Sequence, residues 1–314
     1  MSKTFVNEVQ DYLTLRRGLG CRLVGQGALL LDFGRFLDRL DHRGPITTEL
    51  ALRWAQAPRS KDPDQTARRL GAVRGFLRHR TGVDPATEVP AAQLLGSGIR
   101  RKPPHIYTQH EVKALLREAE TLWPRGGLRP HCYVTLFSLL LCTGLRISEA
   151  LHLEDRDVDL RAGILTIRDG KFGKTRLVPL HPTALAPLRR YRAHRLRLIQ
   201  ASHSFFCTDK YPTLSYSAVR MVFVVLRKRL GWERSGRTRR PRIHDMRHTF
   251  AVRCLERWYR EGVDVDHKIA HLATYLGHVE ISDTYWYLSA VPEISALVMQ
   301  RFERFARQAQ EVVS

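Results

Sequence analysis

Residues 164–180 read ILTIRDGKFGKTRLVPL. Two runs of β-branched and apolar residues, 164–168 and 175–180, flank the polar turn Asp169-Gly170-Lys171-Phe172-Gly173-Lys174, which is the pattern of a β-hairpin. No strand pattern appears over 5–80, and everything after Pro182 returns to helical patterning apart from a short apolar stretch at 205–207. This hairpin therefore sets the fold class: mainly α with a small antiparallel β-sheet.

Upstream of the hairpin, CYVTLFSLLLCTG (132–144) is apolar all round, which predicts a buried helix that breaks at Gly144 and presents Arg146 just beyond the break. Thr108-Gln109-His110-Glu111 has capping-box spacing and opens another helix, with Val112, Leu115, Leu116, Ala119 and Leu122 on one face. Further back, four basic helical segments are expected near 5–17, 25–40, 49–57 and 63–80, separated by Gly and Pro breaks. Between them and Thr108 lies GVDPATEVPAAQLLGSGIRRKPPHIYT, rich in Pro, Gly and small residues and ending in Arg100, Arg101, Lys102 and a stiff Pro-Pro pair. The expected organisation is a helical domain over 1–98, a linker over 99–107 and a second domain over 108–314.

The 314 residues carry 52 Lys+Arg against 31 Asp+Glu, a net charge of +21. A field of that sign favours a polyanion, nucleic acid first, with a membrane surface or an acidic protein as other readings. Arg outweighs Lys, and the guanidinium fork suits bidentate phosphate contacts. The hydrophobic fraction argues against global disorder. Five scattered cysteines without a CxxC pair fit neither a zinc site nor a disulfide framework. There is no signal-peptide core and no run long enough to span a membrane, so a cytoplasmic protein is expected.

Four places in the second domain set cations beside sharp structural features. Arg146 must find a partner, either Glu149 three residues on or an external anion. Lys171 and Lys174 sit at the hairpin tip, where a lysine is either solvated or delivered into a groove. Arg237, Arg239, Arg240 and Arg242 form a basic run leading into His244 and Arg247, which share a helical face. Together with Arg100, Arg101 and Lys102, that run is the candidate phosphate-contacting surface. His267 and His271 stand four apart but lack the glutamate of a zinc-protease pair, so no metal site is expected. In YLGHVEISDTYWYL (275–288), Tyr285 and Tyr287 lie about 200° apart on a helix and cannot face one pocket. The i, i+3, i+4, i+7 rule puts Ile281, Thr284, Tyr285 and Leu288 on the core face, leaving Tyr287 on the side of Glu280 and Asp283.

Taken together, TGLRISEAL, DGKFGKTRLVPL, RIHDMRHTF and YLGHVEISDTYWYL, in this order, resemble the motifs of the tyrosine recombinase, or phage integrase, family. The resemblance covers about 108–290 by motif and the N-terminal part only by analogy, as a helical domain that clamps the other face of DNA. It implies that Arg146 and Arg247 hold the scissile phosphate, that Glu149 steadies Arg146, and that His244 and His278 bond the phosphate or manage protons. Lys171, with Lys174 as the alternative, would protonate the leaving 5′ hydroxyl, and Tyr287, nine residues after His278, would be the nucleophile. The product would be a 3′-phosphotyrosine bond formed without metal, cofactor or ATP. The implied partners are duplex DNA carrying recombination sites and further copies of the chain, two to four on DNA. The long segment VDVDHKIAHLATYLGH is similar to integrases and transposases of mobile elements. Two other readings stand beside this one: a type IB topoisomerase-like enzyme, and a DNA-binding regulator without catalysis. The segment PEISALVMQRFERFARQAQ, with Ile294, Leu297, Val298, Phe302 and Phe305, is expected to form an amphipathic helix that packs on its own domain or on a neighbouring subunit.

Overall fold

The computed structural model describes residues 4–21, 23–57, 63–96, 103–168, 175–199, 202–232 and 240–290, and then 294, 296, 298–300 and 303. The hairpin tip with Lys171 and Lys174, and Arg100, Arg101, Lys102, Arg237 and Arg239, lie outside the described residues. The chain divides into two compact units, 1–102 and 103–314.

In the first unit, helices α1 (Phe5–Gly18), α2 (Val24–Arg39), α3 (Thr48–Gln56) and α4 (Pro63–Arg80) enclose a core of Val9, Phe33, Leu37, Trp54, Val73 and Phe76. Thr4 and Thr47 cap α1 and α3 through their side chains. The Arg69 guanidinium lies 3.9 Å over the Trp54 ring and bonds Asp32, which also accepts from the Trp54 indole.

The second unit begins before its first helix. Tyr107 is buried, its N–H donating to Thr249 Oγ1 and its hydroxyl to the Arg242 carbonyl. Helix α5 (Gln109–Glu120) starts in the Thr108/Glu111 capping box. It packs on α6 (Leu128–Thr143), which is buried along most of its length, as its uniform apolarity predicts. The short α7 (Ile147–Leu151) follows the Gly144 break. The sheet has the order β1-β2-β3, all antiparallel: β1 (Val158–Asp159), β2 (Ile164–Ile167) and β3 (Arg176–Pro179). In the β2–β3 register Leu165 faces Val178, and alternation buries Leu165, Ile167 and Val178 while Leu177 points outward. Strand β1 has only two residues, too few for a period to show. Next come α8 (Pro182–Leu198), α9 (Tyr216–Arg229), α10 (Asp245–Arg260), α11 (Val265–Leu276) and α12 (Ser282–Ala290). The apolar stretch 205–207 is buried beside α8, with Tyr191 bonding Cys207.

The orientation of α12 differs from the expected one. Tyr287 is 2% exposed and packs with Val252, Leu255, Leu276 and Ile294, whereas Tyr285 is 40% and Ile281 44% exposed. Of the assigned core face, Thr284 is fully buried and Leu288 is half-buried against the same cluster, while Ile281 and Tyr285 are exposed. The physical reason is that α12 lies against α10 and α11, whose facing surface offers imidazoles and a polar pocket as well as apolar contacts. A count of apolar residues over nine positions cannot anticipate that surface. Past α12, Ile294 is buried and Val298 is exposed, while Leu297, Phe302 and Phe305 lie outside the described residues.

Candidate active site

Two glycine-capped helix ends organise the site. Gly144 closes α6 and Gly277 closes α11, each with positive φ (62° and 68°). A Cβ on Gly144 would come within 2.5 Å of the Phe250 ring, and one on Gly277 within 2.9 Å of the Arg176 guanidinium. The freed carbonyls at these ends point at two arginines. Arg247, 2% exposed, donates to Gly144 O at 2.8 Å and to Leu276 O at 2.7 Å. Arg146 donates to Gly277 O at 2.8 Å and reaches Leu276 O at 3.5 Å. The negative ends of two helices thus hold two guanidiniums side by side, and Leu276 O is common to both.

Arg146 also donates to Glu149 Oε1 at 2.8 Å, so the carboxylate partner expected from the sequence is present. Glu149 is held from the other side by Arg176, at the root of β3, through two bonds of 3.0 and 2.8 Å. Arg176 in turn donates to Tyr275 O, tying the hairpin stem to the end of α11. Burial would raise the Glu149 carboxyl, but the hydrogen bonds from Arg176 and Arg146 outweigh it and hold the group below the ordinary carboxylate range. Arg247 has no such carboxylate: its bonds go to carbonyls, and burial together with Arg146 pushes it down to about 10. Using two of five donors, it is a stored positive charge that an anion would relieve.

Three histidines line the same pocket. His244 stands at the N-terminus of α10 and is pushed down to about 4 by burial and by Arg247 and Arg242. His278 follows the Gly277 cap and its Nδ1 lies 2.7 Å from Thr284 Oγ1; burial, Arg247 and Arg146 push it to about 4. His248, one turn after His244, lies with its Nδ1 2.8 Å from the Tyr287 hydroxyl, and the two rings are 5.5 Å apart. Tyr287 also stacks on His278, centroids 6.5 Å apart.

Arg146, Glu149, His244, Arg247, His278 and Tyr287 are therefore brought into one neighbourhood from α7, α10, the end of α11 and α12. Arg242 lies at its edge, paired with the buried Asp245 at 2.7 Å, and Arg240 is exposed nearby. His267 and His271 are exposed on α11, away from this group. Sequence reasoning assigned no role to His248 or Arg176. The four-residue spacing of His244 and His248 puts both on one face of α10 and was the available signal. Arg176 had none, because its partner Glu149 is 27 residues away.

The phage integrase family matches residues 106–293 of the chain. A Sinorhizobium fredii protein named as an integrase/recombinase, y4rB, is 41% identical over 307 residues, covering 96% of this chain and 98% of its own length. Tyrosine recombinase XerD of Mycobacterium tuberculosis is 30% identical over 308 residues, covering 91% and 93%. Among solved structures, the Tn1549 transposon integrase in complex with transposon right end DNA aligns with a TM-score of 0.65 over 95% of this chain and 99% of that one. At 16% identity that likeness is one of fold. With a match across more than half its length and a full-length relative at 41% identity, the chain belongs to the phage integrase family.

Proposed function

We propose that the protein is a site-specific DNA recombinase that breaks and rejoins strands through a covalent tyrosyl intermediate. The observation that carries this reading is the pairing of Arg146 and Arg247 around one carbonyl, Leu276 O, with the sheltered hydroxyl of Tyr287 in the same cluster. In phosphoryl transfer the protein mainly positions groups and neutralises charge on the equatorial oxygens, and two guanidiniums serve that purpose. The scissile phosphate would sit on Arg146 and Arg247, with Glu149 fixing the first. His244 and His278, neutral at physiological pH, would bond its oxygens. Tyr287 Oη attacks phosphorus, and the 5′ oxygen leaves with a proton from Lys171, Lys174 being the alternative. The phosphotyrosine keeps the energy of the phosphodiester, so a 5′ hydroxyl from another strand can reverse the step without ATP.

Duplex DNA is the partner, approached by a chain of charge +21. Arg100, Arg101, Lys102, Arg237, Arg239, Arg240 and Arg242 would supply backbone contacts. Exchange needs more than one broken strand, so two to four copies would assemble on paired sites. The resemblance to y4rB, named an integrase/recombinase, supports a mobile-element role.

The test is covalent capture. Wild-type protein incubated with nicked genomic fragments should retain DNA that, once sequenced, gives a defined site, and plasmids with two such sites should yield site-dependent products. Relaxation of any supercoiled plasmid without such products would favour the topoisomerase-like reading, and absence of an adduct would favour a non-catalytic DNA-binding protein.

A further inference from the structure

We propose that His248 is a catalytic residue that accepts the hydroxyl proton of Tyr287 as that oxygen attacks phosphorus. The inference rests on the reading of Tyr287 as the nucleophile. His248 Nδ1 lies 2.8 Å from Tyr287 Oη, within proton-transfer distance before any DNA arrives. The ring is fixed by its neighbours: perpendicular to His244 at 4.7 Å, edge-on to Trp286 at 5.8 Å, and 5.5 Å from the Tyr287 ring. His278 is less suited, because its Nδ1 is engaged with Thr284 and its ring stacks on Tyr287 at 6.5 Å.

The protonation state agrees with this role. Burial, with His244, Arg242, Arg247 and His278 around it, pushes His248 down to about 3, so the imidazole is neutral. In its Nε2–H tautomer the lone pair is on Nδ1, and the Tyr287 hydroxyl donates to it. A phosphate entering beside Arg146 and Arg247 brings a negative charge that offsets those cations and raises the proton affinity of the ring. The base is thereby strengthened by the arrival of its own substrate. The step balances: the Oη–P bond forms, the P–O5′ bond breaks, the Oη proton moves to Nδ1, and the 5′ oxygen takes a proton from the hairpin lysine. In rejoining, the phenolate leaves and recovers the proton from His248.

The experiment measures single-turnover adduct formation by the full chain on a nicked duplex carrying the captured site, from pH 6 to 9. His248→Asn keeps an acceptor oxygen near the Nδ1 position but cannot take a proton. Its rate at pH 7 is expected to fall about 100-fold, the lower end of general-base contributions. The rate should then climb with pH as hydroxide replaces the lost base, while the wild type stays flatter. A 5′-phosphorothiolate nicked duplex, whose leaving group needs no proton, should not rescue the variant. His248→Gln is carried in parallel, so that misfolding of one variant, scored by DNA binding and melting, leaves the other to decide. A pH-independent loss, rescue by the phosphorothiolate, or near-wild-type rates in a folded variant overturns the proposal alone. An adduct that survives Tyr287→Phe overturns the nucleophile reading and this proposal with it.

Discussion

A single residue, Trp286, separates Tyr285 from Tyr287, yet the first reaches solvent and the second is buried with its hydroxyl on an imidazole. Tyr287→Phe is therefore expected to abolish covalent adduct formation, whereas Tyr285→Phe should leave both the adduct and the melting temperature near wild type. Gel-shifted adduct on a nicked duplex checks the first and calorimetry the second. The same neighbourhood predicts a pH dependence of stability. His248 and His278 bind protons in the folded chain near pH 3 and 4, against an ordinary value near 6.5. Between pH 6.5 and 4 the unfolded chain takes up protons that the folded chain refuses, so stability is full above that window and falls as the pH drops. The slope is at most about 1.4 kcal/mol per pH unit for each histidine. Glu149, held below the carboxylate range, adds a separate loss at still lower pH. Melting curves from pH 7 to 4 should show the decline, and His278→Asn should flatten it. At this scale the spacing from His278 and the apolar count both selected Tyr287, but the count assigned it the wrong environment. The count placed Tyr287 at the surface, because periodicity treats a phenol buried against imidazoles as a solvent-facing residue.

Helix ends carry the site, and that makes their glycines the sensitive positions. Gly144 has positive φ, and an added methyl would meet the Phe250 ring at 2.5 Å and Leu276 Cδ2 at 2.9 Å. Gly144→Ala combines a left-handed backbone cost of about 1–2 kcal/mol with overpacking of about 1–3 kcal/mol. A loss of roughly 2–5 kcal/mol in denaturant unfolding is expected, together with weaker DNA cleavage, since Gly144 O and Leu276 O both hold Arg247. A Gly144→Ala protein of unchanged stability would show that the cap can relax. Elements were the most legible level. The four N-terminal helices, the Thr108 capping box, the buried α6 and the β2–β3 hairpin all follow from period, caps and turn residues. What escaped was long-range. The pairing of Arg176 with Glu149 spans 27 residues, beyond any local window, whereas β1 pairs with nearby β2 but has only two residues, too few for a period to show.

Each unit has its own core, built from separate residue clusters on either side of Lys102. The fold class was legible because hydrophobic period and one hairpin determine it, and the assembly of the site from four elements was visible only as the order of motifs. The division has a consequence for DNA affinity. All the proposed pocket residues lie within 103–314, while many of the chain's basic residues lie in the first unit, among them the cationic run that ends at Lys102. Each phosphate neutralised by a Lys or Arg contributes about −0.9 to the slope of log K against log salt. The full chain should therefore bind duplex DNA with a steep salt dependence, and a 103–314 fragment with a distinctly shallower one, measured by fluorescence anisotropy between 50 and 300 mM salt. If the fragment keeps slow cleavage of a nicked site while its salt slope falls, affinity and chemistry are divided between the two units. If both slopes coincide, the first unit makes no phosphate contacts, and the expected clamp over the second face of the duplex is wrong.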